Sequence, residues 1–97
     1  MIRHCVLVSL ADGTPPEIAT TIVEAFRTLP GKIPDIRTYE VGLDLGWRDG
    51  NPEIGVVATF DDESGWRTYV GHPAHVAVID EHLAPHATGR SSVQFEI

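Results

Sequence analysis

Two segments of this 97-residue chain predict strands that are apolar on both faces. Residues 2–10, Ile-Arg-His-Cys-Val-Leu-Val-Ser-Leu, are rich in strand-forming side chains, and so are residues 54–60. Alternation along the first strand places Cys5 and Leu7 on one face, with Val6, Val8 and Leu10 on the other. Helices packed on one face of a sheet leave the other face uncovered, and a second subunit can cover it. We therefore expect a homodimer in which two sheet faces meet.

The order of the predicted elements is β-α-β-β-α-β, which is typical of a ferredoxin-like α+β sandwich. Strands are predicted at 2–10, about 36–45, 54–60 and 92–97, with a loop over 84–91. The first helix follows Thr14-Pro15-Pro16-Glu17, in which Thr14 and Glu17 predict a capping box, and it stops at Pro30-Gly31. A second helical region is predicted at about 62–82, with a break at Pro73. A chain of this length predicts one domain over residues 1–97.

The charge pattern and the short apolar start argue against several partners and locations. The chain has 14 acidic and 7 basic residues, and the basic ones are scattered singly. Binding to nucleic acid or an anionic membrane surface needs a positive patch, so neither partner is expected. The apolar start is interrupted by Arg3, His4 and Asp12, so no signal peptide or membrane span is predicted and the protein is expected to be cytoplasmic. Cys5, the only cysteine, is predicted to be a small buried hydrophobe.

The segment Tyr69-Val-Gly-His-Pro-Ala-His75 concentrates the groups suited to chemistry. Histidine titrates near neutral pH, so such a cluster is suited to proton transfer or to metal binding. His72 precedes Pro73, a position that favours extended backbone and a helix cap. Two histidine pairs have plausible metal-ligand spacing, His72 with His75 and His82 with His86. No HExxH pattern or nearby cysteine supports a metal site, so none is predicted, and His82 and His86 are expected on a solvated helix end and loop.

The sequence resembles the stress-responsive A/B barrel domain (Dabb) family along nearly its whole length. The most specific matching element is the Tyr-x-x-His-Pro-x-His signature at residues 69–75. Further matching elements are the opening strand Ile2–Val8 with its early histidine, the turn Leu29–Ile36, Gly42 with Asp44, and Phe60-Asp61. The resemblance implies a ferredoxin-like monomer that pairs into a dimeric α/β barrel, in agreement with the dimer expected from the strand faces.

The resemblance also implies a chemistry. Plant polyketide cyclases similar to this chain perform an intramolecular aldol cyclisation without a cofactor, in a pocket between sheet and helices. Their catalytic tyrosine and second histidine correspond to Tyr69 and His75, and a nearby first-strand histidine corresponds to His4. His75 is then a candidate general base, Tyr69 a hydrogen-bond donor to the carbonyl oxygen, and His4 a supporting residue. Those cyclases carry a larger residue at the position of Gly71, so their substrate is not carried over.

Three functions follow from this interpretation. The preferred one is a cofactor-free lyase or cyclase that acts on a small, apolar, polyketide-like carbonyl compound. The second is a non-catalytic binding or stress-protective dimer that uses the same pocket. A purely structural role is the alternative for the two residues, in which His75 caps a helix turn and Tyr69 packs against the sheet. The third is a cofactor-independent oxygenase, which rests on the fold alone. Trp66 is expected to pack on the sheet or cover a pocket mouth, and Trp47 to lie at the dimer contact or the pocket rim.

Overall fold

The computed structural model describes all of residues 1–97 as an antiparallel sheet covered by helices. The strands are β1 (Ile2–Leu10), β2 (Thr38–Leu43), β3 (Ile54–Phe60) and β4 (Ala87–Glu96). The helices are α1 (Pro16–Arg27), α2 (Glu63–Gly71) and α3 (Pro73–Val78), with a 3-10 turn at Leu29–Gly31 and a π-helical turn at Ile79–Leu83. The predicted ferredoxin-like α+β fold and its β-α-β-β-α-β order are confirmed.

The sheet has the strand order β2-β3-β1-β4, so β1 lies inside it. Residues that pair across strands point to the same face, so the register identifies the side chains that share a face. His4 lies opposite Ala58 of β3 and Gln94 of β4. Tyr39 of β2 lies opposite Ala58 in turn. His4 and Tyr39 therefore lie in one row across the sheet and on the same face.

The hydrophobic core lies between one sheet face and the helices. Helix α1 contributes Ile22, Val23 and Phe26, each at most 3% exposed, from the apolar face that the sequence predicts. The sheet contributes alternate residues, among them Val8, Ile54 and Val56. Burying one such side chain stabilises the fold by about 1.5–3 kcal/mol. This packing fixes the helices against the sheet and so determines where the site residues lie.

The opposite sheet face carries apolar side chains that remain exposed. Leu7, Val93 and Phe95 have 51%, 54% and 43% of their surface accessible. Cys5 lies on this face and is half-buried, so the prediction of a buried thiol is wrong for the isolated chain. The face also holds Arg3, whose Nε is buried without a hydrogen-bond partner. We name these residues, Arg3, Cys5, Leu7, Val93 and Phe95, the open face.

Three local predictions are wrong. The capping box does not form, because Pro15 is the N-cap of α1 and the Thr14 hydroxyl donates instead to the Ala11 carbonyl at 2.6 Å. The loop predicted over residues 84–91 ends early, because β4 begins at Ala87, which pairs with Leu10. The start of β4 has a polar sequence that does not predict a core strand, but its backbone pairs with β1, with a shift in register between Ser9 and Leu10. β2 is also shorter than predicted, at Thr38–Leu43.

None of the helices is both long enough and apolar enough to cross a membrane.

Candidate functional site

A cavity of about 330 Å³ lies between the helix-covered face of the sheet and the segment from α2 to the π-helical turn. Its volume is at the lower end of the range for small-molecule sites, about 300–1,000 Å³. One side is apolar and includes Phe26, Ile79 and Leu83. The other carries the polar groups of β1, β4 and the helices. All three predicted site residues line this cavity, namely His4, Tyr69 and His75.

His4 is 6% exposed and is held in one tautomer. Its Nδ1 accepts a hydrogen bond from Trp66 Nε1 at 3.2 Å and lies 3.0 Å from Gln94 Nε2. Because an indole nitrogen only donates, Nδ1 must be unprotonated and the ring hydrogen is on Nε2. Burial lowers the pKa of His4, and the neighbouring His75 lowers it further. His4 is therefore a neutral hydrogen-bond donor at neutral pH.

Tyr69 is 1% exposed and joins a pair of hydroxyl groups. Its oxygen lies 2.8 Å from the hydroxyl oxygen of Tyr39, and either group can donate. Burial raises the pKa of both phenols, and in Tyr39 the neighbouring Tyr69 raises it further. When Tyr39 donates to Tyr69, the Tyr69 hydrogen is free for another acceptor. The Tyr69 ring also contacts both imidazoles, with centroid distances of 4.4 Å to His75 and 5.9 Å to His4.

His75 is half-buried on α3, and its Nδ1 lies 3.0 Å from the Val70 carbonyl oxygen. Because a carbonyl oxygen only accepts, this contact puts the ring hydrogen on Nδ1 and leaves Nε2 with a free lone pair. Burial lowers the pKa of His75, the Val70 hydrogen bond opposes this, and the Arg90 cation lowers it further. The ring is therefore neutral at neutral pH and can act as a base.

The break between α2 and α3 brings Tyr69 and His75 together. His72 ends α2, and its Nδ1 accepts a hydrogen bond from the backbone N–H of Ala74 at 3.0 Å. Pro73 follows as the first residue of α3, where its missing N–H costs nothing. The predicted break and the predicted structural role of His72 are confirmed. His72 does not line the cavity, so the two histidines of the signature have different roles.

Several residues of the site were not predicted. Arg90, Ser92 and Gln94 line the cavity from β4, and their alternation is a period-2 signal in a segment assigned partly to a loop. The Tyr39 hydroxyl had no signal in the sequence, because its partner is distant along the chain. Trp66 packs against the core, as predicted, and also lines the cavity, but its hydrogen bond to His4 was not predicted.

Other expected candidates lie elsewhere. Trp47 is 84% exposed and does not line the cavity, so its predicted place at the pocket rim is wrong, while a place at the dimer contact stays a prediction. His82 and His86 are half-buried rather than solvated. No three side chains of histidine, cysteine, aspartate or glutamate converge in a way that could hold a metal ion.

Fold and sequence together identify the family. The stress responsive A/B barrel domain matches residues 2–97, and the chain belongs to this family. An uncharacterized protein of Streptomyces coelicolor is 37% identical over 79 residues, which are 79% of this chain and 81% of that protein.

Two solved structures are similar over 99% of this chain. A dimeric ferredoxin-like protein of unknown function from Thermobifida fusca is 38% identical, with a TM-score of 0.89 and 90% of its chain covered. A dimeric protein of unknown function from Bacteroides fragilis, also with a ferredoxin-like fold, is 34% identical, with a TM-score of 0.87 and 95% of its chain covered.

Proposed function

We propose that the cavity is the active site of a cofactor-free lyase or cyclase that removes a proton beside the carbonyl group of a small polyketide-like compound. The observation that supports this most strongly is the state of His75. Its Nδ1–H is bonded to the Val70 carbonyl, its lowered pKa keeps it neutral, and its ring lies against Tyr69 in the cavity. A neutral imidazole beside a hydroxyl donor is the pair of groups that enolate chemistry needs.

The reaction needs no external oxidant or reductant. His75 Nε2 takes a proton from the carbon beside the carbonyl, and the C–H electron pair becomes the enolate, with its charge on oxygen. The Tyr69 hydroxyl donates a hydrogen bond to that oxygen. In a cyclisation, the enolate carbon attacks a second carbonyl of the same molecule, and the protonated His75 returns its proton to the new alkoxide. Preorganised donors of this kind stabilise the transition state more than the ground state.

His4 and Tyr39 support the two reacting groups. The Trp66 hydrogen bond keeps the ring hydrogen of His4 on Nε2, which makes His4 a second donor for a carbonyl oxygen. When the Tyr39 hydroxyl donates its hydrogen to the Tyr69 oxygen, the Tyr69 hydrogen is free to bond to the carbonyl oxygen of a substrate. Both roles depend on neutral groups, in accordance with the low pKa of His4 and the high pKa of Tyr39.

A second function, binding without catalysis in a stress-protective dimer, is supported by the family to which the chain belongs and by the apolar side of the cavity.

A hydroxynitrile lyase from Passiflora edulis has the same fold, with a TM-score of 0.83 at 17% identity, a likeness that concerns the fold alone. A cofactor-independent oxygenase stays a prediction, which oxygen uptake with quinol-like substrates would test.

Hydrogen–deuterium exchange tests the proposed proton transfer without the natural substrate. Acetophenones in D₂O exchange their methyl hydrogens slowly, and proton NMR follows the loss of signal. We expect the protein to accelerate this exchange, and His75→Gln to lower the acceleration by about 10²–10⁴-fold, the usual contribution of a general base. His82→Gln is the matched control, because His82 is a half-buried histidine outside the cavity.

Two results would decide against the proton transfer: exchange by the wild type at the rate of buffer, or full exchange by His75→Gln. Saturable binding of acetophenone without exchange would favour the binding function instead.

We further propose that residues 1–97 form one domain that dimerises through the open face. Leu7, Val93 and Phe95 would be covered by the same face of the second subunit. The buried Arg3 Nε, which has no acceptor within the chain, would find one across the interface. A cytoplasmic location stays a prediction, which cell fractionation would test.

A further inference from the structure

The only permanently charged side chain on the cavity wall is Arg90. It lies on β4 opposite Val8, on the same face as Ser92 and Gln94, and so points toward the helices. The cavity lining contains no aspartate or glutamate, although the chain has 14 acidic residues and only 7 basic ones. No carboxylate therefore shares the cavity lining with this cation.

Arg90 has no partner within the chain. Arg37 and Arg67 form ion pairs with Asp61 and Glu63, at 2.9 and 2.6 Å. Arg27 donates to the Val41 carbonyl at 3.0 Å. Arg90 has neither a hydrogen bond nor an ion pair, and the same is true of Arg3 and Arg48. Arg90 is the one of these three that lines the cavity, so its guanidinium donors are available to a ligand there. A guanidinium presents planar donors that fit a carboxylate in a two-point contact.

From this placement, and resting on the proposed function, we infer that the substrate is an anion: a carbonyl compound that also carries a carboxylate, which Arg90 binds. The carbonyl lies at the end of the cavity formed by His4, Tyr69 and His75, and the apolar body packs against Ile79 and Leu83. Arg90 thus determines specificity and is not a base or an acid in the reaction.

The charge distribution explains how an acidic protein can bind an anionic substrate. A net charge of −7 repels anions at long range, so an anionic substrate needs a local cation at the cavity. Arg90 lines the cavity and is exposed to solvent, so it can meet such a ligand as it enters. The cation also acts on the base, since Arg90 lowers the pKa of His75. A bound carboxylate would partly cancel that effect and make His75 a stronger base once the substrate is in place.

A matched pair of ligands tests the inference. 4-Acetylbenzoate and 4-acetylbenzamide share a ring and a methyl ketone and differ in charge. We expect the wild-type dimer to bind the benzoate at least about tenfold more tightly, since hydrogen bonds to charged groups are stronger than those between neutral groups. We expect Arg90→Gln to remove this preference while changing the affinity for the benzamide less than about twofold, and Arg90→Lys to keep part of it. Isothermal titration calorimetry measures the affinities.

Arg48→Gln is the control, because it removes the same charge from an exposed loop position outside the cavity. Equal affinities for the two ligands in the wild type, no detectable binding of either, or an equal loss of preference in Arg48→Gln would each overturn the inference. The proposed function is distinguished by exchange at the methyl ketone of the benzamide. If methyl-hydrogen exchange depends on His75 but the benzoate is not bound more tightly than the benzamide, the proton transfer is supported and the anion site is rejected. If the benzoate is bound more tightly through Arg90 but no exchange is seen, the anion site is supported and the proton transfer is rejected.

Discussion

The hydroxyl pair of Tyr39 and Tyr69 allows a quantitative test of how the site is built. The two oxygens are 2.8 Å apart, and Tyr69 is 1% exposed. Tyr39→Phe removes one hydroxyl and leaves the other buried without that partner, which costs about 1–3 kcal/mol. Tyr69→Phe likewise leaves the Tyr39 hydroxyl without its hydrogen-bond partner. The double variant removes both groups, so its loss is expected to be smaller than the sum of the single losses.

The assay is a double-mutant cycle on the free energy of unfolding. Urea denaturation is measured at one fixed protomer concentration, because the stability of a dimer depends on concentration. We expect a coupling free energy of about 1 kcal/mol between the two hydroxyls, the usual net contribution of one hydrogen bond. Each single variant should lower the thermal midpoint by several degrees, at about 4–8 °C per kcal/mol for a domain of this size.

Additive losses, with no coupling between the two positions, would refute this account of the pair. The exchange reaction adds a second criterion, because only Tyr69 is proposed to contact the carbonyl oxygen. Tyr69→Phe should therefore slow α-proton exchange more than Tyr39→Phe does. The reverse order would assign the donor role to Tyr39.

Three further predictions concern pH, capping and assembly. Because the pKa values of His4 and His75 are lowered on folding, the stability that they contribute is present above pH 6.5 and is lost as the pH falls from 6.5 through their folded pKa values. Denaturation between pH 5 and 7 checks this, and His4→Gln should flatten the dependence; a flat wild-type profile would contradict it. His72→Ala should cost about 1 kcal/mol, while His72→Asn keeps most of the stability as another capping residue, and equal losses would argue against capping. Leu7→Glu should give a monomer in light scattering after size-exclusion chromatography, whereas Val76→Glu, on an exposed helical position, should stay dimeric.

The sequence predicted the fold because its elements have strong local signals. β1 and β3 are rich in strand-forming apolar side chains, and α1 has its buried residues at helical spacing. The His72-Pro73 junction predicted both a helix break and a cap, and both are observed. These features depend on residues that are close together in the chain, so patterns in the sequence can report them.

The parts that were missed depend on distant contacts. The start of β4 has a polar sequence and forms a strand only because β1 supplies its backbone partners. Trp66 and His4, like Tyr39 and Tyr69, are joined by hydrogen bonds between residues far apart in the chain. The alternation of Arg90, Ser92 and Gln94 was present in the sequence. Polar residues at every second position of a strand are usually solvent-facing, so the sequence alone could not show that these three line a cavity.

The proposed reaction depends on His75 being a neutral base whose Nε2 is free to take a proton. Nitrogen-15 NMR of the histidine rings, followed across a pH titration, measures both the tautomer and the pKa directly. We expect His75 to carry its hydrogen on Nδ1, bonded to Val70, and to titrate below 6.5. A His75 that carries its hydrogen on Nε2, or that titrates above 6.5, would contradict the proposed reaction.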